Sequence, residues 1–140
     1  MSKTAVVYWS GTGNTEEMAK QVAAGAKEAN AEVSLFTAAE FSADMIEQFD
    51  AIAFGCPSMG DEELEEIEFA PMFEACEPKL HGKKIALFGS YGWGDGEWMR
   101  LWEKRCNDSG VMFACDYVIA NDAPDDEAKE ACRKLGASLA

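Results

Sequence analysis

The sequence is short of positive charge. Twelve Lys and Arg stand against twenty-six Asp and Glu over 140 residues, a formal net charge of −14. A basic footprint for a phosphate backbone is missing, so no nucleic-acid partner is expected. Docking on an anionic membrane is disfavoured for the same reason. There is one histidine, His81, in a polar turn, and it reads as a solvated turn residue. The five cysteines (Cys56, Cys76, Cys106, Cys115 and Cys132) are odd in number and include no C-x-x-C pair. That argues against a disulfide framework, a zinc ribbon or a cysteine-ligated cluster, and no metal site is expected. Reduced thiols in a cytoplasmic protein are the plain reading. Long apolar runs are also lacking; Ala5 to Trp9 is too short for a signal core or a membrane span.

Apolar residues make up 48% of the chain and aromatics 11%, enough for a core and against disorder. The length suits one domain, residues 1–140. Short apolar runs alternate with amphipathic stretches. Strands are expected at Thr4 to Trp9, Val33 to Phe36, Asp50 to Gly55, Lys84 to Gly89 and Val111 to Ile119. Helices are expected at Thr15 to Ala29, Leu64 to Glu77, Glu97 to Cys106 and Asp125 to Leu139, with a weak one near Ala43 to Glu47. Pro71 should break the second long helix or start its main part. Strands buried on both faces and alternating with helices imply a parallel sheet with right-handed crossovers. Five such units fit an α/β doubly wound, flavodoxin-like domain with strand order 2-1-3-4-5 and helices on both faces. Ligands of such sheets bind beyond the carboxyl ends of the strands, at the switch between strands 1 and 3.

Three loops at that end are unusual. Ser10-Gly11-Thr12-Gly13-Asn14-Thr15 follows the first strand and opens the first helix. Asn14 stands where a phosphate-binding Walker loop needs Lys, and Glu16 stands where a dinucleotide fingerprint needs its third glycine. A neutral, hydroxyl-rich loop at a helix N-terminus suits one terminal phosphate monoester; a capped helix with a glycine turn uses the same residues. After the third strand, Cys56-Pro57-Ser58-Met59-Gly60-Asp61-Glu62 puts a soft, polarizable Met at a loop tip, though it also reads as an ordinary turn into an acidic helix. After the fourth, Gly89-Ser90-Tyr91-Gly92-Trp93-Gly94-Asp95-Gly96 sets two aromatics among four glycines. Trp93 there is either a stacking surface or folds back onto the domain.

Taken in order, YWSGTGNTE, CPSMGDEE and GSYGWGDGEWM resemble the three cofactor loops of short-chain flavodoxins. The resemblance implies a noncovalent FMN and a low-potential one-electron carrier, not an enzyme, working between the semiquinone and hydroquinone states. It implies that Ser10, Gly11, Thr12, Gly13, Asn14 and Thr15 hold the phosphate, with Ser90 assisting. Pro57, Ser58 and Met59 would cover one face of the flavin and Trp93 the other. Gly60 would offer its carbonyl to N5–H, Asp61 and Glu62 would line the ring edge with Glu62 accepting from N3–H, and Tyr91, Gly92 and Asn121 would line the rest. Trp9 reads as packing near the phosphate. The acids from Asp61 to Glu68, with Asp95, Glu97, Asp122, Asp125, Asp126 and Glu127, would crowd the flavin end and make the second electron hard to add. Lys3, Lys79, Lys83 and Lys84 would lie at the far end. A monomer serving basic-surfaced redox enzymes, such as ferredoxin- or flavodoxin-dependent reductases, follows. An FMN-dependent reductase such as a quinone reductase is the alternative on the same fold. A receiver-type signalling domain would need an Asp where Phe54, Gly55 and Cys56 stand.

Overall fold

The computed structural model describes residues 2–60 and 62–140. Its strands are β1 (Lys3–Tyr8), β2 (Glu32–Thr37), β3 (Ala51–Gly55), β4 (Lys84–Tyr91), β5 (Met112–Phe113) and β6 (Val118–Asn121). Its α-helices are α1 (Asn14–Glu28), α2 (Phe69–Cys76), α3 (Glu97–Asp108) and α4 (Asp126–Ser138). The sheet runs β2-β1-β3-β4-β5, with β6 also beside β4, and every pairing is parallel. This is the expected order 2-1-3-4-5. Runs such as Ala5-Val6-Val7 and Ile52-Ala53-Phe54 are wholly buried, as strands covered on both faces must be. Phe69, Phe73, Trp98 and Trp102 of α2 and α3 cover one face. Met18, Val22, Cys132 and Leu135 of α1 and α4 cover the other.

Two expectations need correction. The fifth strand is not continuous over Val111 to Ile119. Ile85 pairs with Phe113 and Phe88 with Val118. The fifth strand advances five residues there while β4 advances three, so the surplus leaves the ladder between Phe113 and Val118. The second long helix does not begin at Leu64: α2 starts at Phe69, and Pro71 sits in its first turn, where its missing N–H costs no helical bond. The weak helix near Ala43 is a 3-10 stretch, Ala43–Gln48.

The α1–α4 contact is closer than apolar periodicity alone requires. A Cβ on Gly25 would collide with the Arg133 carbonyl, and one on Gly136 with the Val22 carbonyl. The two helices touch backbone to backbone, and glycine alone permits this. Gly136→Ala should therefore lower the unfolding free energy by about 1–3 kcal/mol through overpacking. A urea midpoint equal to that of the parent would contradict the contact.

Candidate functional site

β1 and β3 end level with each other and with Phe88 of β4, because Tyr8 pairs with Gly55 and Gly55 with Phe88, and β4 runs on beside β6 to Tyr91. Their loops must leave the same edge. Two further backbone bonds hold the loops side by side, Cys56 N–H to the Phe88 carbonyl (3.2 Å) and Ser58 N–H to the Ser90 carbonyl (3.0 Å).

The loop before α1 is organised by its own hydroxyls. Ser10 Oγ accepts from the backbone N–H of Gly13 (3.1 Å) and of Glu16 (3.2 Å). Thr12 Oγ1 accepts from Asn14 N–H at 3.4 Å. Gly13 is the N-cap of α1 and offers no side chain to it; Ser10 and Thr12 reach over from the loop to take the Glu16 and Asn14 amides instead, so an anion at this terminus shares or displaces those hydroxyls. The Thr15 and Ser90 hydroxyls, from two different loops, meet at 2.7 Å, both buried.

Ser10, Gly11, Thr12, Asn14 and Thr15 line one side of a cleft of about 210 Å³. Pro57, Ser58 and Met59 line another, and Ser90, Tyr91 and Gly92 close it. No Lys or Arg is among its walls. Gly13, Gly60, Glu62, Trp93 and Asn121 stand outside these walls. Met59 is 37% exposed and Trp93 61%. Trp93 therefore does not fold back onto the domain.

Three predicted residues behave differently from a simple lining. The Tyr91 ring packs on Trp98, with centroids 5.5 Å apart. Asn121 Nδ2 donates to the Tyr91 carbonyl (3.3 Å), and the neighbouring Asp122 is the one that lines the cleft. Glu62 has φ +59 and tucks its carboxylate under Gly94, where a Cβ would collide with it. Its Oε1 is buried with no hydrogen-bond partner among the described residues. A non-glycine left-handed residue holding an orphaned acceptor marks a place where a donor is missing. Gly60 has φ +51 and open space around a notional Cβ. Asp61 lies outside the described residues. Together these groups fit a ligand with a phosphate monoester at one end and a flat ring bearing an N–H at the other.

Sequence reasoning passed over three residues. Asp122 joins the cleft because it directly follows β6 on the carboxyl edge. Trp9 lines the cleft as well as packing, and its indole N–H donates to Glu68 Oε1 at 2.9 Å. Glu65 is one of the acids expected to crowd the flavin end, yet it is only 5% exposed. Its carboxylate accepts from the backbone N–H of Ile67 (2.8 Å), Glu68 (2.7 Å) and Phe69 (2.8 Å), while its own N–H points to Cys56 Sγ at 3.3 Å. Burial pushes the Glu65 carboxyl up, but those three amide bonds outweigh it and hold it below its ordinary value. The spacing from Glu65 to the Phe69 run is the one available signal, a capping acid just before an apolar stretch.

The flavodoxin family model matches residues 6–136. A flavodoxin of Clostridium beijerinckii is 45% identical over 135 residues, covering 96% of this chain and 97% of that protein. A flavodoxin of Megasphaera elsdenii is 45% identical, covering 96% of each. The solution structure of two-electron reduced Megasphaera elsdenii flavodoxin superposes with a TM-score of 0.89 at 44% identity, covering 97% of each chain.

The lowered Glu65 carboxyl has a pH consequence. Its stabilisation is complete above the ordinary value of 4.5 and is lost as pH falls through the lower folded value. Glu65→Gln should cost about 1–2 kcal/mol at neutral pH, as loss of a helix cap does. The gap from the parent should shrink in acid. Urea midpoints that differ equally at both pH values would contradict the assignment.

Proposed function

The chain belongs to the flavodoxin family, as an FMN-binding electron carrier and not an enzyme, and we propose that the loops after β1, β3 and β4 are where it holds that cofactor. FMN, when bound, supplies a ring that takes up and gives back electrons one at a time. The observation that carries this placement is the cleft itself: three loops converge on hydroxyl groups without a cation, with the exposed Met59 in its wall. The reductase alternative is not favoured, since the close relatives over nearly the whole chain are carriers.

Ser10, Gly11, Thr12, Gly13, Asn14 and Thr15 would bind the phosphate, with Ser90 fixing Thr15. Neutral donors and the helix N-terminus suffice for a phosphate held away from solvent. Pro57, Ser58 and Met59 would cover one ring face and Trp93 the other, while Tyr91 and Gly92 border the pyrimidine. The orphaned Glu62 Oε1 would accept from ring N3–H, and the Gly60 carbonyl would accept from N5 when that atom carries a proton. Asn121 would act indirectly, by fixing the Tyr91 carbonyl. Asp61 would lie at the ring edge.

The finer reading concerns potential, partner and setting. Glu63 and Glu66 are exposed, and among the described residues neither makes a salt bridge. Each free carboxylate at about 10 Å would oppose added negative charge by roughly 0.4 kcal/mol, about 20 mV, before screening. Not every acid contributes equally. Asp95 pairs with Arg100 at 3.0 Å, whereas Glu65 and Glu68 accept only from neutral N–H groups and keep their charge. A low potential and basic-surfaced redox enzymes as partners follow from the remainder. A single domain over residues 1–140, a monomer and a cytoplasmic setting complete the reading. Among the described residues no helix is long and apolar enough to cross a membrane.

Gly60→Ala should strain a left-handed position by about 1 kcal/mol and hinder the backbone that presents the carbonyl. The largest fraction of protein held at the one-electron stage of a redox titration should then fall; an unchanged fraction would refute the role. Replacing Glu63 and Glu66 together by Gln should raise the more negative potential by about 20–40 mV at low salt. No movement would refute the electrostatic account.

A further inference from the structure

A second hollow lies beside the flavin loops and is not used by them. It has a volume of about 300 Å³ and lies between α3 and the segment that leads into α2. Its apolar walls are Leu64, Ala70, Trp98, Leu101 and Trp102. Trp98, Leu101 and Trp102 fall on one face of α3, three and four residues apart. Leu101 is 56% exposed, and Ile67, next in sequence to the rim residue Glu66, is 78% exposed, two large apolar side chains on so acidic a surface. Trp102 is 2% exposed, and its buried indole N–H has no acceptor among the described residues.

The rim has one sign. Glu62, Glu63 and Glu66 border the hollow. Its one arginine, Arg105, is already committed to Glu77 through two bonds of 2.7 and 2.8 Å. An apolar floor inside an uncompensated acidic rim selects an apolar side chain flanked by cations. Glu62 belongs both to this rim and to the loop pair under Gly94, so whatever sits here lies next to the electron-transfer site.

We propose that this groove is the apolar anchor of partner docking: it takes one Leu-like side chain from a basic segment of a redox protein, and the segment's flanking Lys or Arg pair with Glu63 and Glu66. This deepens, and rests on, the reading that partners are basic. The anchor fixes orientation, whereas a diffuse acidic patch only attracts.

The test is a nitrogen-15 NMR titration of the FMN-loaded protein with two peptides, acetyl-Lys-Lys-Leu-Lys-Lys-amide and the same peptide with Ser in place of Leu. The Leu peptide should move the Trp102 indole resonance and the Ala70 and Leu101 amides, and should bind several-fold more tightly than the Ser peptide. Leu101→Glu separates the two forces, because it adds an attractive charge while removing groove wall. It should weaken the Leu peptide several-fold, with the visible flavin spectrum unchanged. Equal binding of both peptides, or tighter binding to Leu101→Glu, overturns the groove and leaves the basic-partner reading standing. Binding of neither peptide overturns both.

Discussion

One buried carboxylate organises the acidic side of the site. Glu65 gathers three consecutive turn amides, Ile67 to Phe69, and so closes the start of α2. It thereby sets where Phe69 enters the core and where the segment from Met59 to Glu68 must run. Backbone bonds between Met59 and Glu63, at 2.8 and 2.9 Å in the two directions, pinch the tip of that segment. The exposed Met59, the left-handed Glu62 and the walls of the second groove all hang from this arrangement. A carboxylate with three amide partners is cheap to bury; with none it would be very costly.

The same constraint changes what the net charge means. A count of −14 suggests a uniform field, but the acids are divided by their partners. Some are structural, as Glu65 and Glu77 are; some are neutralised, as Asp95 is by Arg100. Glu63 and Glu66 remain exposed on the rim of the second groove, in no salt bridge among the described residues. The proposed phosphate end has no Lys or Arg in its walls, so recognition there would rely on amides, hydroxyls and a helix terminus. Flavin binding thus works against the overall field of the protein, and so does a second reduction.

Much of this was legible in the residues. Buried strand runs and their alternation with helices led to the sheet order, and hydroxyls and glycines at three strand ends marked the cleft. Exposure of Met59 and Trp93 followed from placing apolar side chains on glycine-rich loops. What escaped was tertiary. The break in the fifth strand depends on its register against β4, which no single segment carries. The glycines at 25 and 136 look like ordinary helix residues until two backbones meet. Glu65 looks like its solvated neighbours, because burial of one acid in six is decided by the fold of the loop. Asp122 and Trp9 were adjacent to predicted positions and were missed because one residue of shift decides which side chain faces the cleft.

The central claim is that a cation-free cradle on a strongly acidic protein holds the phosphate of FMN. It is tested most directly by the salt dependence of FMN and riboflavin binding to the apoprotein, followed by flavin fluorescence. Screening should strengthen FMN binding as salt rises, because repulsion between the dianion and the protein is the only long-range charge term. Riboflavin, lacking the phosphate, should bind far more weakly and respond little to salt. FMN affinity that falls steeply with salt, or that equals that of riboflavin, would contradict the account.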